Sequence, residues 1–279
     1  MKTALILEGG GMRGLYTAGV LDAMLDDKIK YDSIYGVSAG AVFGVNYLSK
    51  QKGRVLRYNK KYVNDKRYMS FSSFIKTGNF INKQFAYYDV PFKYDIFDEE
   101  TYSKSKTNFY AVMTNIETGE AEYPKIINCG IQIEELRASS ALPFLSKPVQ
   151  INDKKYLDGG IADAIPIKKA IEEGYDKIVV VLTRPIEYRK KKSNKLLPKL
   201  FYSKYPNFIE SINTRYSRYN ETLDYIEDLE KKKKIIVIRP SKFIKISRVE
   251  KDPNKLQEMY DLGTYDYNEI KKDLKKYLK

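Results

Sequence analysis

A chain of 279 residues with 50 Lys and Arg, 36 Asp and Glu, one cysteine and no histidine excludes several chemistries at once. A nucleophile must work without an imidazole base, no internal disulfide can form, and metal sites built on His or clustered Cys are ruled out by counting. At 43% hydrophobic the chain can bury a sizeable core, and its net charge of +14 calls for an anionic partner or a Lys-rich solvated surface.

The apolar run Ala4 to Leu7 reads as a strand, followed by Glu8-Gly9-Gly10-Gly11-Met12-Arg13-Gly14 and a helical pattern from Leu15 to Leu25. A glycine-rich turn between a strand and a helix points free backbone N–H groups at one spot and favours negative charge there. Gly9-x-Gly11-x-x-Gly14 also fits a dinucleotide fingerprint, which wants an acidic residue at the end of the next strand. Here Asp32 precedes that strand, so an oxyanion hole is the better reading. Lys2 and the apolar run imitate the start of a signal peptide, but the run is too short and Glu8 breaks it. No stretch is long enough to span a bilayer, and the expected location is cytoplasmic.

Ser33 to Val37 reads as a short buried strand and Ala39 to Leu48 as a helix, with Gly36-Val37-Ser38-Ala39-Gly40 between them. This is the strand–turn–helix context of a nucleophile elbow, in which glycines two before and two after the serine relieve crowding. A glycine-rich corner of an ordinary α/β protein would look the same. Next comes an aromatic-rich stretch: Tyr68, Phe71, Phe74, Phe80, Phe85, Tyr87, Tyr88, Phe92, Tyr94 and Phe97. These residues either pack helices onto the sheet or line an acyl-chain channel over Ser38. Asn108 to Met113 and Lys177 to Leu182 are further strands.

Between those two strands, Lys155-Tyr156-Leu157-Asp158-Gly159-Gly160 leads into an Asp-Gly-Gly turn. Asp-Gly is a common hairpin turn, but a desolvated carboxylate within reach of a serine can also take its proton. Ser-x-x-Lys spacings at Ser49–Lys52, Ser73–Lys76 and Ser103–Lys106 do not involve Ser38. Cys129 lacks a His partner and reads as packing. No Asp-x-Asp-x-Asp loop marks a hard-cation site, and no cofactor is implied.

After Thr183 the chain turns basic: Arg184, Arg189 to Lys192, Lys195, Lys199 and Lys204, interleaved with Leu196, Leu197, Leu200 and Phe201. The segment reads as a solvated face or as peripheral contact with an anionic membrane. A long helix from Asn207 to Lys234, a strand at Ile235 to Ile238 that extends the main sheet, and a polar C-terminal helix follow. No nucleic-acid recognition motif accompanies the positive charge, so nucleic acid is not expected as a partner.

In order and spacing, the Gly9–Gly14 loop, the Gly36–Gly40 elbow, the small-residue stretch Ala138-Ser139-Ser140-Ala141-Leu142-Pro143 and Asp158-Gly159-Gly160 together resemble the patatin-like phospholipase family. The resemblance covers residues 1 to about 185 as a catalytic domain, with 186–279 a basic, mainly helical region packed on it. It implies a three-layer α/β/α fold with a mostly parallel central sheet and a helical C-terminal extension. It further implies lipid acyl hydrolysis by a Ser38–Asp158 dyad acting on phospholipid or another acyl ester. The backbone of Gly10 and Gly11, with Arg13 nearby and the Ala39 amide, would form the oxyanion hole. The competing readings are a lipid- or anion-binding protein that keeps the fold without efficient catalysis, and a nucleotide-binding module.

Overall fold

The strand Thr3–Leu7 (β1) sends Ala4 and Ile6 to one face and Leu5 and Leu7 to the other, and all four are fully buried. A strand with two apolar faces must be covered on both, which dictates three layers. The computed structural model describes residues 1–192, 194 and 196–279. Its other strands are β2 (Ser33–Val37), β3 (Asn108–Asn115), β4 (Ala121–Glu122), β5 (Val149–Ile151), β6 (Lys154–Asp158), β7 (Lys177–Val181) and β8 (Ile235–Ile238). Its α-helices are α1 (Leu15–Asp26), α2 (Ala39–Leu48), α3 (Arg54–Tyr62), α4 (Phe71–Thr77), α5 (Glu99–Ser103), α6 (Ile133–Ser140), α7 (Ile167–Glu172), α8 (Leu196–Phe201), α9 (Pro206–Lys231) and α10 (Pro253–Leu278).

The strands form one sheet in the order β5-β6-β3-β2-β1-β7-β8, with β4 beside β3. From β3 to β8 all neighbours are parallel, while the β3–β4, β3–β6 and β6–β5 pairs are antiparallel. Helices α1, α2 and α10 bury the face carrying Leu5 and Leu7, and α7 and α9 bury the face carrying Ala4 and Ile6. The chain winds outward from β1 through β2 to β3, then returns to the other side of β1 as β7 and β8. Strand order therefore reverses between β1 and β7, and ligands of such sheets bind beyond the carboxyl ends of the strands at that point.

Two differences from the sequence expectation have local causes. Strand β3 runs two residues beyond Met113 because Thr114 and Asn115 pair with Leu157 and Tyr156 of β6. Helix α9 ends at Lys231, where Lys233 adopts a φ of 54° that turns the chain into β8.

The C-terminal region is welded to the sheet layer. β8 pairs with β7 from Ile178↔Ile235 to Val181↔Ile238, and α10 crosses α1 at very short range. A Cβ on Gly19 would lie 2.0 Å from the Tyr260 carbonyl oxygen, and one on Gly263 would lie 2.1 Å from that of Tyr16. Tyr16 donates to Asp266 at 3.0 Å and Lys275 pairs with Asp27 at 2.6 Å across the same crossing. Helix α1 is buried on nearly all sides as a result. We expect Gly263→Val to separate the two helices and cost about 2–3 kcal/mol, read as a lowered denaturation midpoint with an unchanged slope.

Candidate active site

Ser38 sits between the end of β2 and the start of α2 with φ 56° and ψ −120°, a backbone region that non-glycine residues rarely occupy. The surroundings hold it there. Its amide donates to Ser139 Oγ at 2.9 Å, and its carbonyl accepts from Ala41 and Val42 at 3.0 and 3.1 Å. The turn is tight because Gly40 packs directly on β1, where a Cβ would lie 2.5 Å from the Leu7 carbonyl oxygen. The small-residue stretch on α6 thus contributes the hydroxyl that fixes the elbow.

Antiparallel pairing of β6 with β3 sets Asp158 opposite Met113, at the end of the sheet where β2 finishes. The Ser38 hydroxyl donates to Asp158 Oδ2 at 2.6 Å, and both residues are buried. The other carboxylate oxygen accepts the Gly160 amide at 2.8 Å, and the Gly160 carbonyl accepts from Arg215 Nε. Thr114 Oγ1 donates to the Asp158 carbonyl at 2.9 Å.

The glycine loop follows β1 on the adjacent strand. Gly11 has φ +57°, and a Cβ there would lie 2.4 Å from the Arg248 carbonyl oxygen, so no side chain fits. Met12 donates to that same carbonyl at 3.0 Å. The amides of Gly10, Gly11 and Ala39 have no acceptor among the described residues. Glu8 is buried beside the loop and accepts from the Thr183 amide and Tyr219 hydroxyl, each at 2.6 Å, and from Thr183 Oγ1 at 3.0 Å.

Gly9, Gly10, Gly11, Arg13, Ser38, Asp158 and Gly160 all line one cleft. Ala39, Gly14, Gly36, Gly40 and Gly159 are not among its lining residues. Gly14 packs behind it, where a Cβ would lie 2.7 Å from that of Ala39. None of the ten aromatic residues between Tyr68 and Phe97 reaches this cleft. Tyr87, Phe92 and Phe97 line a separate, apolar pocket with Val42 and Val45 of α2 and Leu136 of α6.

The basic segment departs from a solvated face. Arg184 and Lys190 line the cleft, joined by Arg215 of α9 and Arg248 of the loop after β8. Arg189 is tied to Asp224 and Glu227 of α9 at 3.0 and 2.7 Å. Lys191, Lys192, Lys199 and Lys204 are exposed, and Lys195 lies outside the described residues. Arg184 was within reach of sequence reasoning, because it follows β7 at the carboxyl edge of a parallel sheet. Arg215 and Arg248 carry no local signal at all.

Burial and the neighbouring Arg184 and Arg248 push the Arg13 guanidinium down to about 10. Burial, with Arg215 and Arg248, pushes Lys190 down to about 7 against the opposing pull of Glu8. Cys129 lies elsewhere, buried, with its thiol pushed up by burial.

A family model described as Patatin-like phospholipase matches residues 5–171, from β1 through α7. The chain belongs to the patatin-like phospholipase family. Membership in a lipid acyl hydrolase family accords with the expectation from the ordered motifs. A second model, Domain of unknown function (DUF6363), matches residues 205–279. The Escherichia coli "Uncharacterized protein YjjU" is 28% identical over 94% of this chain and 75% of its own length. "Lysophospholipase NTE1" of Cryptococcus neoformans is 29% identical over 64% of this chain but only 11% of its own length. "Lysophospholipase NTE1" of Saccharomyces cerevisiae is 25% identical over 95% of this chain and 16% of its own length. The chain therefore spans a small fraction of these fungal relatives. The crystal structure of VipD from Legionella pneumophila aligns with a TM-score of 0.46 at 14% identity, over 96% of this chain and 66% of that one.

The crowded cations generate a stability prediction. Below pH 7 Lys190 is charged in both folded and unfolded chains, and its burial penalty is felt in full. Between about 7 and the ordinary lysine value the folded chain binds fewer protons than the unfolded one, so the penalty shrinks as pH rises. Lys190→Gln should raise the melting temperature at pH 6 by about 2 °C or more, and by less at pH 9. Thermal scans at the two pH values check this. A variant melting below wild type at pH 6 would mean that the ammonium is not penalised.

Proposed function

We propose that the protein is a serine lipid acyl hydrolase of the phospholipase A, lysophospholipase or esterase type, working through a Ser38–Asp158 dyad and an acyl-enzyme. The observation that carries this reading is the 2.6 Å hydrogen bond from an elbow serine to a buried carboxylate in a chain that has no histidine. Asp158 takes the Ser38 proton as Oγ attacks the ester carbonyl, and the proton then passes to the departing alcohol as the C–O bond breaks. For deacylation Asp158 takes a proton from water, hydroxide adds to the acyl carbon, and Ser38 leaves with that proton. The free amides of Gly10, Gly11 and Ala39, with the Arg13 guanidinium, hold the oxyanion. Each such donor contributes about 2.7–4 kcal/mol in comparable sites.

The apolar pocket suits the acyl chain. Val42 stands one helical turn beyond Ser38, and the Tyr87 hydroxyl lies 2.8 Å from Ser140 Oγ, next to the Ser139 that fixes the elbow. Peripheral contact with an anionic membrane falls on α8, which exposes Leu196, Leu197, Leu200 and Phe201 beside exposed Lys191, Lys192 and Lys199. The Phe201 ring packs edge-on to Phe144, 5.5 Å away and two residues past the cleft residue Leu142, so the patch adjoins the cleft mouth.

Ser38→Ala is expected to abolish ester turnover and fluorophosphonate labelling while leaving the melting temperature near wild type. Asp158→Asn should do comparable damage. Wild-type turnover by pure Ser38→Ala would end the mechanism and leave the anion-binding reading. Gly10→Val, which meets Thr183 Oγ1 2.9 Å from its Cβ, should lower kcat by about 10²–10³ with little change in KM. A loss confined to KM would make the loop a binding element. Leu197→Asp combined with Leu200→Asp should weaken co-sedimentation with anionic vesicles. Equal pelleting of variant and wild type would remove α8 from the interface.

A further inference from the structure

Among the described residues five cations line the Ser38 cleft, namely Arg13, Arg184, Lys190, Arg215 and Arg248, against two carboxylates, Glu8 and Asp158. Both carboxylates are already engaged, Glu8 by Thr183 and Tyr219 and Asp158 by Ser38 and the Gly160 amide. None of the five cations has an ion-pair partner among the described residues, although the protein pairs its other arginines freely. Of the eleven arginines in the chain, six hold a carboxylate within 4.0 Å, and four of the remaining five converge on this cleft. The fifth, Arg218, donates to the carbonyls of Ile161 and Ser211. The buried Nε atoms of Arg13 and Arg184 have no hydrogen-bond partner among the described residues.

Cations gathered without counter-ions destabilise a fold unless something anionic joins them. The excess over Glu8 and Asp158 is three positive charges, enough for a dianionic phosphate, and it does not change during reaction because the charge that develops on the oxyanion is the one Asp158 gives up on taking the Ser38 proton. A choline-type cation would need an open aromatic face. The two tyrosines of the cleft already carry cations: Arg184 lies 4.5 Å from the Tyr188 ring centre and Lys190 lies 4.2 Å from that of Tyr219. Zwitterionic head groups therefore have no seat there.

We infer that the cationic cleft is a phosphate subsite, and that the ester cleaved at Ser38 belongs to a glycerolipid whose head group is a phosphate monoester, such as an acylglycerol phosphate. This rests on the hydrolase reading for the cleavage, but not for the binding. Arg184 and Lys190 hold the phosphate beside the reacting carbonyl, with Arg248 at the exposed rim. Burial and the neighbouring cations hold Arg13 and Lys190 below their ordinary values, and a phosphate bound beside them raises both.

The test is calorimetric titration of glycerol 3-phosphate, inorganic phosphate and glycerol into wild type, Ser38→Ala, Arg184→Gln, Lys190→Gln and Lys190→Arg. Wild type and Ser38→Ala should bind one glycerol 3-phosphate with equal affinity, and neither should bind glycerol. Arg184→Gln and Lys190→Gln should each weaken it about tenfold or more, and Lys190→Arg should restore it. Turnover of an acylglycerol phosphate should exceed that of lysophosphatidylcholine and monoacylglycerol of the same chain about tenfold in kcat/KM, with the preference falling in both Gln variants. Absent binding, or binding unmoved by both Gln variants, overturns the inference even if esters are cleaved. Inorganic phosphate binding as tightly as glycerol 3-phosphate overturns the head-group assignment. Phosphate binding as expected with no ester turned over supports the subsite and defeats the hydrolase reading instead.

Discussion

The hydrogen bond between Ser38 and Asp158 closes a loop of 120 residues, and much of the architecture can be read as the means of closing it. Ser38 requires β2 to end in a strained turn buttressed by Gly40 against β1 and by Ser139 from α6. Asp158 requires a strand that arrives at the same edge from the opposite direction. That is why the parallel sheet acquires an antiparallel pair on the β3 side, and why β3 extends past the point where its parallel partner stops. An elbow alone offers only an exposed hydroxyl; the reversed strand supplies the carboxylate.

On the other side of β1 the same sheet edge gathers charge. The turns after β1, β7 and β8 all open toward the place where strand order reverses, and each contributes an arginine. Parallel strands carry their carboxyl ends to one edge, so residues far apart in sequence are delivered together without any contact that pairs them. Repulsion among these groups is a stability cost that the α1–α10 crossing and the doubly covered sheet are well placed to carry. Elsewhere Arg54 and Arg57 share Asp95, and Arg189 is held between Asp224 and Glu227. The absence of such partners in the cleft, among the described residues, is thus a local property and not a consequence of a basic composition.

Sequence alone determined much of this molecule. Apolar runs and glycine punctuation are local, and they set β1, β2, α2, β7 and β8 to within a residue or two. The lack of histidine, a matter of counting, turned attention from an imidazole to the carboxylate at Asp158 before any geometry was known. What tertiary structure decided was every relation carried through space. Arg184 and Lys190 looked like part of a solvated basic stretch, because a charge run has no periodicity that reveals which members turn inward. Arg215 and Arg248 were silent, since their direction depends on how α9 and the loop after β8 cross the sheet edge. The aromatic stretch likewise did not announce its destinations: Tyr87, Phe92 and Phe97 line a pocket beside α2, Tyr68, Phe80 and Phe85 are buried in the core, and Phe71 and Tyr94 are exposed. Local backbone chemistry writes strands, turns and helices into neighbouring residues; electrostatic environment is a sum over the whole fold, and only the assembled sheet evaluates it.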